Sequence, residues 1–277
     1  MNQEIKWLDP EKKNLDLIHK RVTQLIEKYG LVEVFCPICD KKDYISLGYR
    51  EGLQIVVCNN CDHVYVNPRL SVESVKDLYS MNYWSEITVN HGNPSLKERA
   101  HFDYENAYYK LQRDVLDQKK NGRLLDIGCS NGALIRRAIE NGFHAIGIEP
   151  SPDVAQFAKE TFGVDVVVGT IESSDLPNDH FDILLAHDVI EHVFDVNDFI
   201  NGCFQKLRQG GMLVIETPTT DSVNFSYEGL NWMYCIPIEH INLFNQRNLI
   251  AKLEQVGFKI LDVICPYEEN MVIRVIK

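Results

Sequence analysis

Long apolar runs are missing from this sequence: nothing in its 277 residues approaches the roughly 20 consecutive apolar positions of a membrane-spanning helix. The opening MNQEIKWLDPEKK also lacks the apolar stretch of a secretory leader and carries charges in its place. Both absences set the expectation of a cytoplasmic chain without a membrane partner. Basic charge is scarce as well. Lys and Arg number 28 against 40 Asp and Glu, a formal net charge of -12, and the pI is near 5.2. Nonspecific nucleic-acid affinity comes mainly from clustered Lys and Arg, so this balance counts against a nucleic-acid partner and favours a small-molecule acceptor.

What is present fits a soluble globular protein: 45% hydrophobic and 25% charged residues supply a substantial core. The length exceeds one average domain and predicts a main domain plus an annex. Eight cysteines in a reducing compartment read as thiols or metal ligands rather than disulfides. Cys36, Cys39, Cys58 and Cys61 form two C-x-x-C pairs separated by 18 residues. Each pair can turn two thiolates onto one ion, and two pairs complete a tetrahedral zinc shell. The intervening DYISLGYREGLQIVV, with Gly48 and Gly52, predicts a hairpin that brings the pairs together. Four protein thiolates leave no open position for water or substrate, so the expected Zn2+ is structural. His63 is expected beside the site rather than on the metal. Cys129, Cys203, Cys235 and Cys265 have no such spacing and read as packing residues.

Before the cysteines, DPEKKNLDLIHKRVTQLIEKYG predicts an amphipathic helix with Asp9 as N-cap, Pro10 in the first turn and Gly30 as stop. Its apolar stripe is Leu15, Ile18, Val22, Leu25, Ile26 and Tyr29. SVESVKDLYSMNYW and SLKERAHFDYENAYYKLQRDVLDQKK predict two more helices. From Lys120 onward the pattern changes. RLLDI, FHAIGI, VDVVV, FDILLA and MLVIE read as strands, and NGALIRRAIENG, SPDVAQFAKETFG, FDVNDFINGCFQKLRQGG and NQRNLIAKLEQVG as helices. Such alternation implies a parallel sheet of βαβ units. The tail GFKILDVICPYEENMVIRVIK has no room for a crossover helix and predicts an antiparallel hairpin at the sheet edge.

Asp126-Ile-Gly-Cys-Ser-Asn-Gly132 falls where the first strand turns into its helix, a place where glycines let a ligand approach the backbone. The dinucleotide fingerprint G-x-G-x-x-G is not met. Glu149 ends the second strand, where a carboxylate can accept hydrogen bonds from ribose hydroxyls.

With these residues in place the chain resembles the class I S-adenosylmethionine-dependent methyltransferases, through LLDIGCSNG, GIEPS, GTIESSDLPNDHFDILLAHDVIEHV, LRQGGMLVIETP and the final hairpin. The resemblance covers about the last 160 residues and implies a Rossmann-like seven-stranded α/β sheet with a C-terminal antiparallel hairpin. The cysteine annex, followed by VYVNPRLSVESVKDLY, resembles a bacterial subgroup found in sugar, surface-polysaccharide and natural-product pathways. PIEHINLFNQRNLIAKLEQVGF looks like the same subgroup. The implied arrangement is a helical and zinc-binding annex over 1–70, a helical linker or lid over 71–119, and the methyltransferase domain over 120–277. By resemblance, Asp126, Gly128, Cys129 and Gly132 surround the methionine part of S-adenosylmethionine, Glu149 its ribose, Ile171 and Glu172 its adenine, and His187 the methionine moiety. Ser130 departs from the second glycine of D-x-G-x-G, and Thr170 from an adenine-side Asp.

A sulfonium donor is already activated, so the protein must align the acceptor and exclude water. A hydroxyl acceptor also needs its proton removed, a task suited to histidine. His192 in HDVIEH is the first candidate base, with Glu191 as its orienting partner, and His240 in IPIEHINLF is the second. The alternative for each histidine is a structural hydrogen bond, and for Glu191 a helix-start carboxylate favoured by the dipole. The segment TPTTDSVNFSYEGLNWMYCIPIEH reads as a binding loop or lid whose Phe225, Tyr227, Trp232 and Tyr234 wall the acceptor. Tyr79, Tyr83, Trp84 and Tyr104 are further candidates. The favoured acceptor is a hydroxyl of a sugar, such as a sugar nucleotide in carbohydrate biosynthesis, or of a natural-product intermediate. A deoxysugar C-methyltransferase, an rRNA methyltransferase with a zinc module and a non-enzymatic scaffold are the alternatives.

Overall fold

The computed structural model describes residues 14–79 and 84–277. The expected Asp9 cap, Pro10 and Tyr83 lie outside the described residues. Along the chain run α1 (Leu15–Tyr29), β1 (Leu31–Val32), β2 (Tyr44–Arg50), β3 (Leu53–Cys58), β4 (Val64–Val66), β5 (Arg69–Leu70), α2 (Val72–Leu78) and α3 (Leu96–Leu111). Next come β6 (Gly122–Ile127), α4 (Ala133–Glu140), β7 (Phe143–Glu149), α5 (Pro152–Phe162), β8 (Val166–Val168), β9 (Phe181–His187) and α6 (Val196–Lys206). The remainder is β10 (Leu207–Pro218), α7 (Val223–Glu228), β11 (Asn242–Leu243), α8 (Gln246–Val256), β12 (Lys259–Tyr267) and β13 (Asn270–Ile276). By packing, the chain divides into two compact units. Unit one comprises Met1–Arg21 and Lys76–Ser174, and unit two Val22–Val75 and Asp175–Lys277. The fold contains a mostly parallel seven-stranded sheet that ends in the expected hairpin.

In unit one, β6, β7 and β8 are parallel, with Leu124 opposite Ala145 and Ile148 opposite Val167. Leu124, Leu125 and Ile127 are all buried. An unbroken apolar run of this kind suits a parallel strand covered on both faces. Helices α4 and α5 make the crossovers that parallel neighbours require. Ser95 and Glu98 form a capping box at the start of α3, so two of its free N–H groups are satisfied reciprocally. Gly132, at φ +80°, admits no larger residue, because a Cβ there would lie 2.8 Å from Val164 Cγ2 and 3.0 Å from Ala158 Cβ.

In unit two, β9 and β10 are parallel, and β10 pairs antiparallel with β13, which returns from β12. The helix expected through LRQGG stops at Lys206, and Leu207 to Gly211 enter β10 through a register shift before Met212. Two adjacent glycines, Gly210 at φ +72°, are poor helix material and suit this irregular entry. A second, antiparallel sheet has the order β11-β4-β3-β2. Its β2–β3 hairpin is the expected one, with Gly52 at the turn and a bulge between Ser46 and Gly48. Strand β11, from late in the chain, covers the β4 edge. Ile55, Val64, Cys235 and Leu243 pack with a fully buried Trp232, so this indole is core and not the expected acceptor wall.

Ile18, Val22 and Leu25 of α1 are buried as expected, whereas Leu15 is exposed. Among the described residues no helix is long and apolar enough to cross a membrane.

Candidate functional site

The turn after β6 in unit one is built from backbone donors. Gly128 (φ +65°), Ser130 (φ +49°) and Gly132 (φ +80°) are left-handed, which lets the chain fold back over the end of β7. Gly128 N–H donates to Ile148 O at 2.8 Å. Glu149 is 7% exposed, and its carboxylate receives Ser130 N–H at 3.1 Å and Ser151 N–H at 3.0 Å, one on each oxygen. Burial pushes this carboxyl up to about 7; the two N–H bonds oppose the rise, and the charges of Asp126 and Asp153 add to it. Each oxygen keeps capacity for another donor, so the group can take two hydroxyls. Gly169 N–H donates to Glu149 O at 3.0 Å and ties the next turn, with buried Ile171 and exposed Glu172, to the same strand end. Asp126 is buried at the end of β6. The structure thus brings Asp126, Gly128, Cys129, Gly132, Glu149, Ile171 and Glu172 to adjoining strand ends of one unit.

Cys129 is an inert member of this group. Burial, with the nearby charges of Asp126 and Glu149, pushes its thiol well above the ordinary range. A Cβ on Gly147 would lie 2.4 Å from Cys129 Sγ, so Gly147 makes the space that the sulfur fills. The sequence reading missed Gly147 and Ser151, although GIEPS begins with the one and ends with the other. Tyr104 is occupied by scaffold contacts: its hydroxyl donates to Glu140, its ring stacks on Phe162, and the Arg137 guanidinium lies over it at 3.6 Å. Trp84 Nε1 donates to Pro94 O.

In unit two, Glu191, His192 and His240 converge, with their donor atoms within 4.8 Å of one another. The two imidazoles lie 4.7 Å apart, nearly perpendicular. His240 Nδ1–H donates to Tyr234 O at 2.7 Å, which leaves the lone pair on Nε2. Burial lowers the His192 pKa against the opposing charges of Glu239 and Asp188. Glu191 is 1% exposed, and Thr217 Oγ1 donates to it at 2.9 Å. Burial, reinforced by Asp188 and Glu216, pushes its carboxyl well above the usual range. Burial thus disfavours the charged form of the partner expected to orient a base. His187, at the end of β9, has Nε2 3.9 Å from Glu216 Oε2. Thr217 and the Tyr234 carbonyl were not foreseen, because β10 and the 219–241 connection carry no spacing that announces them.

The four annex cysteines also converge. Their sulfurs lie within 4.8 Å of one another, with Cys36–Cys61 and Cys39–Cys58 each at 3.5 Å. A tetrahedron with Zn–S bonds of about 2.3 Å has edges of about 3.8 Å, so the set fits one ion. Asn60 N–H donates to Cys58 Sγ at 3.4 Å. His63 is fully buried beside Asn248, with its ring stacked on Tyr65, and burial lowers its pKa to about 3.

A glycine turn after the first strand, a buried carboxylate ending the second, and a seven-stranded sheet closed by an antiparallel hairpin define a class I S-adenosylmethionine-dependent methyltransferase. The chain belongs to the methyltransferase domain family, whose model matches residues 100–263. Among curated proteins it is similar to a ubiquinone biosynthesis O-methyltransferase of Bradyrhizobium sp. (strain ORS 278), 38% identical over 34% of this chain and 39% of that one. A protein of the same name from Rhodopseudomonas palustris (strain HaA2) is 38% identical over 43% of this chain and 49% of its own. The chain thus spans less than half the length of these relatives. Among solved structures, methyltransferases from Thermotoga maritima (TM-score 0.52, 21% identity, 65% of this chain and 94% of that one) and Archaeoglobus fulgidus (0.52, 22%, 65% and 97%) share the fold.

Proposed function

We propose that the chain moves the methyl group of S-adenosylmethionine to a hydroxyl of a small-molecule acceptor, with the donor held at Glu149 and the acceptor's proton taken by the histidine pair. The observation that carries the donor half is the Glu149 carboxylate, buried at a strand end and held by two backbone N–H groups, one on each oxygen, so that each oxygen retains accepting capacity for a hydroxyl. Bound there, S-adenosylmethionine supplies an activated methyl on sulfur. The protein's part is to align, to exclude water and to handle one proton. His240 suits the proton-accepting role better than His192, because the Tyr234 carbonyl fixes its tautomer with the lone pair on Nε2. His192 and Glu191 then shape the wall around it. His187 and Glu172 stay with the donor, at the methionine and adenine ends.

Cys36, Cys39, Cys58 and Cys61 hold a structural zinc, which leaves no coordination position for substrate. Two acceptor classes follow from two observations. The relatives' names point to an oxygen acceptor in ubiquinone biosynthesis, and the annex resemblance points to a sugar hydroxyl. The acidic chain disfavours RNA.

The test is calorimetric titration with S-adenosylmethionine and S-adenosylhomocysteine, beside Glu149→Ala, followed by methyl-transfer assays on phenolic and sugar-nucleotide acceptors. Micromolar binding that the substitution weakens supports the donor site. A folded protein that binds neither ligand sinks the reading.

A further inference from the structure

Ser130 stands where a glycine would cost nothing. Its φ of +49° is left-handed, like that of Gly128 two residues before and Gly132 two residues after. For a side-chain-bearing residue that conformation is strained, and it persists only where the surroundings impose it. The surroundings here are explicit: Ser130 N–H donates to Glu149 Oε2 at 3.1 Å, so the backbone is pinned to the buried carboxylate. Glycine would make the same bond without strain.

The side chain adds a second cost. Ser130 Oγ is buried and has no hydrogen-bond partner. An unsatisfied buried hydroxyl is destabilising, because it gives up its hydrogen bonds to water and gains none in return. Neighbouring polar groups in the turn are already engaged. Asn131 Nδ2 donates to Asp103, and Asn131 Oδ1 accepts from Ala133 N–H. Ser151 Oγ donates to Asp153. Between Asp126 and Gly132, then, both a strained backbone and a free hydroxyl sit on the residue whose N–H reaches Glu149.

Resting on the donor site proposed above, we infer that Ser130 Oγ is a donor-binding group of this chain, which hydrogen-bonds a ribose hydroxyl of the cofactor beside Glu149. A hydroxyl can accept from one ribose O–H while donating to a second oxygen, so it complements a carboxylate that only accepts. The ribose diol can then be gripped by Glu149 and Ser130 together, and the cost of the hydroxyl is relieved only when ligand is bound. Asp126 and Asp153, the other charged groups near Glu149, are acceptors only when ionised, and neither can supply the donated proton.

The test uses the full-length protein with S-adenosylhomocysteine and its 2′-deoxy and 3′-deoxy analogues, comparing wild type, Ser130→Gly, Ser130→Ala and Glu149→Ala. Ser130→Gly is expected to raise the thermal midpoint without ligand, since it removes both strain and orphaned hydroxyl, yet to weaken S-adenosylhomocysteine by about tenfold. Ser130→Ala keeps the strained backbone, so it should weaken binding equally while raising the midpoint less. The loss should shrink for at least one deoxy analogue, because the partner hydroxyl is then already gone. Unchanged or tighter binding by both serine variants overturns the inference, as does an equal loss for all three ligands. Wild-type affinity in Glu149→Ala would instead sink the donor site itself, so the two failures are distinguishable.

Discussion

The glycine turn of unit one and the cysteine-histidine region of unit two hold their groups in place by opposite means. The turn is comparatively local: Asp126 to Glu149 spans two strand ends, and its key bonds come from backbone N–H groups 2 and 19 residues from Glu149. The other region is assembled across the chain. Arg50 donates to the carbonyls of Leu230 and Trp232, the latter at 2.8 Å and 182 residues away. Lys252 reaches Ile38 O in the first cysteine knuckle at 3.2 Å, and Arg247 pairs with Asp62 beside the second. The carbonyl that fixes His240, that of Tyr234, lies just beyond the stretch gripped by Arg50. A local device tolerates distant damage. A device closed by long-range contacts inherits every weakness in its supports.

Removing the metal should give the widest separation between the two. Structural zinc in small domains is worth on the order of 10 kcal/mol at neutral pH. Cys58→Ser or chelation should therefore melt the annex first and abolish methyl transfer, while S-adenosylhomocysteine affinity falls by less than about threefold. Calorimetry on zinc-stripped protein decides it, and parallel loss of both would mean that the regions fold as one. Next in size, His240→Ala should lower kcat about 10²- to 10⁴-fold with donor binding intact, as expected for loss of a general base. An equal loss in donor affinity would show that the histidine supports structure instead.

Glu149→Gln should weaken S-adenosylhomocysteine by about tenfold or more, consistent with hydrogen bonds to a charged group. Because the folded pKa is raised to about 7, ionised Glu149 dominates only above that value, and donor affinity should climb as pH rises through 7. Stability runs the other way. The folded carboxyl binds its proton more tightly than the unfolded one, so its burial costs nothing below about pH 4, and the cost grows as pH rises toward 7. The Gln variant should accordingly gain thermal stability at pH 8 and show no pH step in affinity. The smallest expected effect is that of Arg50→Ala, a fewfold drop in kcat with unchanged donor affinity, together with about 2 kcal/mol of lost stability from two orphaned carbonyls.

The same contrast governs what could be read from the sequence. The strand-turn-helix order, the glycine turn, Glu149, the C-x-x-C spacing and the final hairpin are all local patterns, and each appears where the sequence places it. Two-residue β11 has no periodicity to announce it, and its partner β4 lies in the annex. Trp232 looked like an acceptor wall because an aromatic in an aperiodic segment has no sequence mark of burial, and only the β3–β4 surface makes it core. LRQGG followed a clear helix and was drawn into it, whereas strand pairing with Phe181 captured Leu207. Ser130 was visible as a departure from glycine, but its left-handed backbone and orphaned hydroxyl required coordinates.

Strand β11 has a consequence for how the molecule comes into being. The hydrogen-bonding edge of β4 is finished by Asn242 and Leu243, so a growing chain carries that edge open through most of its synthesis, a span of order ten seconds or more at about 5–20 residues per second. An open edge invites pairing with another chain. Closure must also wait for a very large loop, which slows folding far more than it weakens the product. Truncation before Asn242 should therefore yield aggregates, even though the cysteine knuckles and the glycine turn are both intact.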